Sequence, residues 1–119
     1  MVELNLRDTN FIPWDESSCH LATNKHVKWI SGNEMVSNSC FITDQYLEDV
    51  KKASGVKRKI AWILEPRSIF PHVYKWIEEN NRLFDYVLTY DQNLIDLGQN
   101  YLYYPHGRCW INDFVENPE

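Results

Sequence analysis

Residues 57–106 read KRKIAWILEPRSIFPHVYKWIEENNRLFDYVLTYDQNLIDLGQNYLYYPH, and this stretch decides the fold. It holds three short apolar runs, Ile60–Leu64, Tyr86–Leu88 and Tyr101–Tyr104, separated by segments whose apolar residues recur at helical spacing. An apolar run of about four to eight residues between polar or turn residues suits a strand buried on both faces. Strands alternating with helices imply right-handed crossovers and a parallel sheet with helices packed on it. Ligands of such sheets collect at the carboxyl ends of the strands. Here those ends read Glu65-Pro66-Arg67, Thr89-Tyr90-Asp91 and Pro105-His106-Gly107-Arg108.

The punctuation between the runs agrees with this pattern. Pro66 cannot donate to a ladder and ends the central strand. Pro71 suits the first turn of the next helix, where a missing N–H costs nothing. Val73, Trp76 and Ile77 are expected to form that helix's buried face, with Glu78 to Asn81 as its solvated end. Phe84 through Tyr90 is expected as a strand. Asp91 is an N-cap candidate for a helix over Gln92–Leu97, closed by Gly98.

Outward from this stretch, Val2–Leu6 and His26–Ile30 alternate apolar and polar residues and read as strands. Thr9 to Asn24 has little periodicity and reads as a long loop. Asn38–Ile42 is a further short strand. Thr43-Asp44 is placed to cap a helix over Gln45–Ala53, with Tyr46, Leu47, Val50 and Ala53 as its apolar stripe and Gly55 as its stop. The expected fold is α/β: residues 1–119 as a single Rossmann-like domain with a mostly parallel sheet flanked by helices.

Composition narrows the function classes. The 119 residues can bury roughly two-thirds of their unfolded surface without staples. The formal net charge is −5, and the basic residues are scattered except for Lys57-Arg58-Lys59. Nucleic-acid binding needs clustered basic residues, so no nucleic-acid partner is expected. No run approaches the roughly 18 apolar residues of a membrane span, and no secretory leader is visible. Cys19, Cys40 and Cys109 are odd in number and lack a CxxC pair, which fits a reducing compartment and a cytoplasmic location. Cys19-His20 and His106-x-x-Cys109 differ in spacing and do not form a zinc pattern, so no metal site is expected; buried inert thiols are the better account. GxGxxG, GxxxxGK[ST] and GxSxG are all absent, and only four glycines exist to cradle a phosphate. No cofactor is expected.

Glu65 is the candidate catalytic residue. It follows IAWIL and precedes a proline, so its carboxylate belongs at the mouth of the sheet, where a carboxylate can act as general base toward a hydroxyl. The plainer alternative is a cap on the following helix. Arg67, His72, His106 and Arg108 stand near neighbouring strand ends and suit an anion or a polyol. Trp110 suits stacking on a sugar face or burial in a core.

The order of apolar strand, Glu-Pro, helix, FDYVLTYDQNL and YLYYPHGRCWI resembles the N-terminal domain of fucosyltransferase-like glycosyltransferases. The matching elements are Glu65, Phe84-Asp85-Tyr86 and Tyr90-Asp91, within about residues 36 to 112, and Thr43-Asp44 at an earlier strand end suits the same domain. The resemblance implies one half of a GT-B architecture, the half that receives a sugar acceptor and supplies the base, here Glu65. Alongside the resemblance, substrate contacts are expected from Arg67, Tyr90, Asp91, His106, Arg108 and Trp110. The resemblance also implies that transfer needs a donor-binding domain or second subunit, because acceptor and donor must be held together. The isolated chain is then expected to be inactive. Two other readings compete with it: a non-catalytic glycan- or protein-binding module, and a receiver-like domain built on Asp8 with Asp44 or Asp91, which lacks a lysine at a suitable strand end.

Overall fold

Among the described residues six strands pair in parallel throughout, in the order β2, β1, β3, β4, β5, β6 across one sheet. The computed structural model describes residues 2–8, 26–30, 38–53 and 55–105. The strands are β1 (Val2–Arg7), β2 (Val27–Ile30), β3 (Ser39–Thr43), β4 (Arg58–Trp62), β5 (Tyr86–Thr89) and β6 (Tyr101–Tyr103). With helix α1 (Pro71–Asn80), helix α2 (Gln92–Asp96) and a 3₁₀ helix over Asp44–Lys52, they make a Rossmann-like α/β sheet. The strand order reverses between β1 and β3, because the chain runs outward from β1 to β2 and then returns past β1 to β3. That switch point opens a crevice at the carboxyl ends in folds of this kind.

Alternation along the strands explains the core. Cys40, Ile42, Ala61, Ile63 and Val87 share one face and are all but inaccessible. Leu47 and Val50 of the 3₁₀ helix, Val73, Tyr74 and Ile77 of α1, and Leu94 of α2 join them in one cluster. Burying each such aliphatic side chain stabilises the fold by roughly 1.5–3 kcal/mol. The thiol of Cys40 belongs to this cluster, and burial pushes its pKa up, which keeps it an inert apolar group. The other face carries an aromatic row. Trp29 meets Phe41 edge-on at 5.4 Å, Phe41 meets Trp62 at 6.1 Å, and Trp62 meets Tyr104 at 5.4 Å. Ile60, Trp62 and Leu64 lie on this side, opposite Ala61 and Ile63, and are half-buried.

Several boundaries differ from the sequence expectation. The central strand is Arg58–Trp62 rather than Ile60–Leu64. At its start, Arg58 donates to the Asn38 carbonyl at 2.9 Å, while Lys59 donates to the Asp85 carboxylate at 2.7 Å and accepts from the Asp85 N–H at 2.8 Å. Charged residues are thus drawn into the ladder. At its end, the N–H of Leu64 goes to the Asp44 side chain instead of the next strand. Phe84 does not belong to β5; it is buried and closes the short 3₁₀ turn Asn81–Leu83.

The segment expected as a helix over Gln45–Ala53 is a 3₁₀ helix of nine residues over Asp44–Lys52. Side chains three apart eclipse one another in a 3₁₀ helix. Leu47, Val50 and Ala53 therefore face the core, and Tyr46, expected in the same stripe, is 37% exposed. Thr43 occupies the N-cap position, but no side-chain cap bond forms there. In α1 the buried face is Val73, Tyr74 and Ile77, with Trp76 half-buried at its margin. Among the described residues no helix is long and apolar enough to cross a membrane.

Candidate functional site

The carboxyl ends of β1, β3, β4 and β5 bring together Asp8, Thr43, Asp44, Glu65 and Tyr90. At the switch point the Thr43 hydroxyl bridges to β1, donating within 2.8 Å of an Asp8 carboxylate oxygen and 3.1 Å of the Arg7 carbonyl. One residue on, Asp44 turns its carboxylate across to β4. Its Oδ1 accepts from the N–H of Leu64 at 3.0 Å and of Glu65 at 3.4 Å.

The dipeptide Leu64–Glu65 is held from its other side by two phenols. Tyr74 of α1 donates its hydroxyl to the Glu65 carbonyl at 2.7 Å, and Tyr90 donates to the Leu64 carbonyl at 3.2 Å. All four backbone polar groups of these two residues are thereby bonded to side chains. Burial, reinforced by nearby acidic groups, raises the pKa of both phenols, so each stays a proton donor at neutral pH. Asp44 is strained and desolvated in this role. Its φ is +30°, in the left-handed region, and its residue is only 9% exposed. Burial pushes its carboxyl up to about 6, with the Glu65 and Asp8 charges adding to the rise and the two N–H bonds opposing it.

Arg67 and Asp91 form the flank of this site. The Arg67 guanidinium reaches the Asp91 carboxylate at 3.0 Å and Glu78 at 3.4 Å, and lies 4.6 Å over the Tyr74 ring. The hydrogen bond to Asp91 is the main reason its pKa rises further. Asp91 also caps α2 as expected, accepting the Leu94 N–H at 3.0 Å. Arg67 thus joins the turn after β4 to the start of α2, with its guanidinium between two carboxylates.

Of the residues singled out from sequence, the structure gathers Glu65, Arg67, Tyr90 and Asp91 at one edge. His72 lies exposed on α1, its ring 5.7 Å from that of Phe70. His106, Arg108 and Trp110 lie outside the described residues, as do Cys19, His20 and Cys109. The sequence does not single out Tyr74, and it offers Asp44 only as a cap or as part of a receiver-like template. The signal for Asp44 was its position, one residue beyond a strand end next to the central strand. Tyr74 sits beside Val73 in a helix whose exact buried face the spacing did not resolve.

Among the described residues no group of three or more His, Cys, Asp or Glu side chains is placed to hold a metal ion. An open cleft of about 670 Å³ lies at the opposite, amino edge, lined by Glu78, Glu79, Asn81, Arg82, Gln99 and Asn100. The amides there bond one another, Asn81 to Gln99 at 2.7 Å and to Asn100 at 2.9 Å, and Asn100 back to the Asn81 and Phe84 carbonyls. That arrangement ties the lead-ins of β5 and β6 together, away from the strand ends. Comparison with protein-family models, curated proteins and solved structures found no match to this chain.

Proposed function

We propose that this chain is the acceptor-side half of a fucosyltransferase-like glycosyltransferase, with Glu65 as the general base. The observation that carries the reading is the fixed Leu64–Glu65 dipeptide at the carboxyl edge of a central parallel strand. A general base must come within roughly 2.6–3.2 Å of the proton it takes. A glutamate whose backbone is bonded at every polar group is suited to that demand, whereas a simple strand-ending turn has no need of it. In the step, the Glu65 carboxylate takes the proton of an acceptor hydroxyl as that oxygen attacks the anomeric carbon of the donor and the nucleotide leaves.

Tyr90, Asp91 and Arg67 flank Glu65 and form the rim of the acceptor site in this reading; His106, Arg108 and Trp110 join the set on their place in the sequence alone. Binding of the nucleotide sugar falls to a second Rossmann-like unit, attached or separate, since this sequence carries no glycine-rich phosphate loop. The chain itself uses no cofactor, and its place of action is cytoplasmic. The competing reading is a glycan- or protein-binding module without catalysis.

Substituting Glu65→Gln tests the proposal, because it removes the base and keeps the shape. In an enzyme completed with its donor-binding unit, transfer should be lost while the melting temperature stays within a few degrees. Unchanged transfer with lowered stability would assign Glu65 to the structure alone.

A further inference from the structure

The side chains that hold Leu64–Glu65 come from three separate places: the first turn of the 3₁₀ helix, the middle of α1, and the residue after β5. Their meeting is a product of the tertiary fold, not of local chain geometry. Asp44 is left-handed, a state that costs a non-glycine residue on the order of 1–3 kcal/mol. Its carboxylate is nearly buried and is influenced by two further acidic groups, Asp8 and Glu65. Tyr74 is fully buried, and its hydroxyl serves the Glu65 carbonyl. Backbone strain and a desolvated charge that converge on one peptide at a sheet mouth are features of functional sites.

We propose that Asp44, Tyr74 and Tyr90 are positioning residues for Glu65, which fix the direction in which its side chain leaves the sheet, and that Asp44 makes this hold depend on its own protonation. The functional meaning rests on the reading of Glu65 as a base; the geometry and the test below do not. Ionised, Asp44 accepts charge-assisted hydrogen bonds, roughly twice as strong as those to a neutral carboxyl. Protonated, it holds the two N–H groups more weakly. The groups facing it are Asp8 from the end of β1, Glu65 from the turn after β4, Tyr74 from α1 and Tyr90 from the end of β5. Arg67, which lies over the Tyr74 ring, is engaged by Asp91 and Glu78. With the Asp44 carboxyl raised to about 6, the hold is complete near neutral pH and relaxes in mild acid.

The test uses amide NMR of the full ¹⁵N-labelled chain between pH 4.5 and 7.5. In the wild type, the amide protons of Leu64 and Glu65 should shift together in one step centred at about 6. Asp44→Asn keeps an acceptor oxygen and tolerates the left-handed backbone, so it should stay folded and lose the step. Tyr74→Phe and Tyr90→Phe should keep the step but lower the ¹H–¹⁵N heteronuclear NOE of Glu65, and Asp44→Ala should lose both step and order. The proposal is overturned if the wild type shows no step at these two amides, or if the step survives in Asp44→Asn. It is equally overturned if Glu65 is as ordered in the Tyr→Phe variants as in the wild type. Should the amides behave as expected while Glu65→Gln leaves transfer intact, the base assignment falls and the positioning role stands. Loss of transfer without the amide step would mean the reverse.

Discussion

The carboxylate of Asp44 receives the backbone N–H of Leu64 at 3.0 Å, so the first residue beyond β3 holds the chain just past β4. That bond takes the place of a ladder bond and ends the central strand at its carboxyl edge. Asp44→Ala leaves the N–H groups of Leu64 and Glu65 without this acceptor, and an unsatisfied buried donor costs about 1–3 kcal/mol. Urea unfolding should show a loss of that size, with Asp44→Asn losing less.

Asp44 also sets a pH dependence. Its carboxyl rises from the ordinary 3.8 to about 6 on folding, so the folded state binds the proton more tightly than the unfolded one. The stability this group contributes is therefore full below about 4 and is lost as pH rises through about 6. The rise corresponds to about 3 kcal/mol at most. Asp44→Asn removes this dependence, so its stability relative to wild type should improve steadily from pH 4 to pH 7. A constant difference across that range would contradict the assignment.

Asp91 does two things with one carboxylate, capping α2 through Leu94 and pairing with Arg67. Losing an N-cap side chain typically costs about 1 kcal/mol. The Arg67 pair is partly solvated and adds at most about 1 kcal/mol. Asp91→Ala should thus lower stability by about 1–2 kcal/mol, and Asp91→Asn, which keeps an acceptor for the cap, by less. A double-mutant cycle with Arg67→Ala measures the ion-pair share.

Ile63 is 1% exposed in the core, whereas Leu102 on β6 is 45% exposed. Ile63→Asp places an unpaired charge among apolar side chains and should abolish cooperative thermal unfolding followed by circular dichroism. Leu102→Asp should change stability by no more than about 0.5 kcal/mol. Similar melting curves for the two variants would refute the assigned strand faces.

These contrasts show what the sequence carried. The apolar runs Ile60–Leu64, Tyr86–Leu88 and Tyr101–Tyr104 marked the places of β4, β5 and β6, but β4 ends at Trp62 and β6 at Tyr103, and Tyr86, Leu102 and Tyr103 are exposed rather than buried on both faces. Pro71, Asp91 and Gly98 were legible because each acts within its own turn of chain, and Gly98 sits at φ +73°; Pro66 does not end the central strand, which stops at Trp62. The position of β1 between β2 and β3 was not legible, since strand order is set by crossovers and not by local pattern. Nor was the winding of residues 44–52. Leu47, Val50 and Ala53 fit both a three-residue and a 3.6-residue period, and only the exposure of Tyr46 distinguishes the two. The partners of Leu64 and Glu65 were hidden for a related reason. Asp44, Tyr74 and Tyr90 are 20, 10 and 26 residues from Leu64, and no spacing rule links them.

The most direct measurement of the account is a calorimetric screen of the purified chain against a panel of free glycans and nucleotide sugars. The acceptor-half reading predicts heat with at least one glycan, weakened by Tyr90→Phe, and no heat with any nucleotide sugar. Tight binding of a nucleotide sugar, with none of the glycans retained, would contradict it.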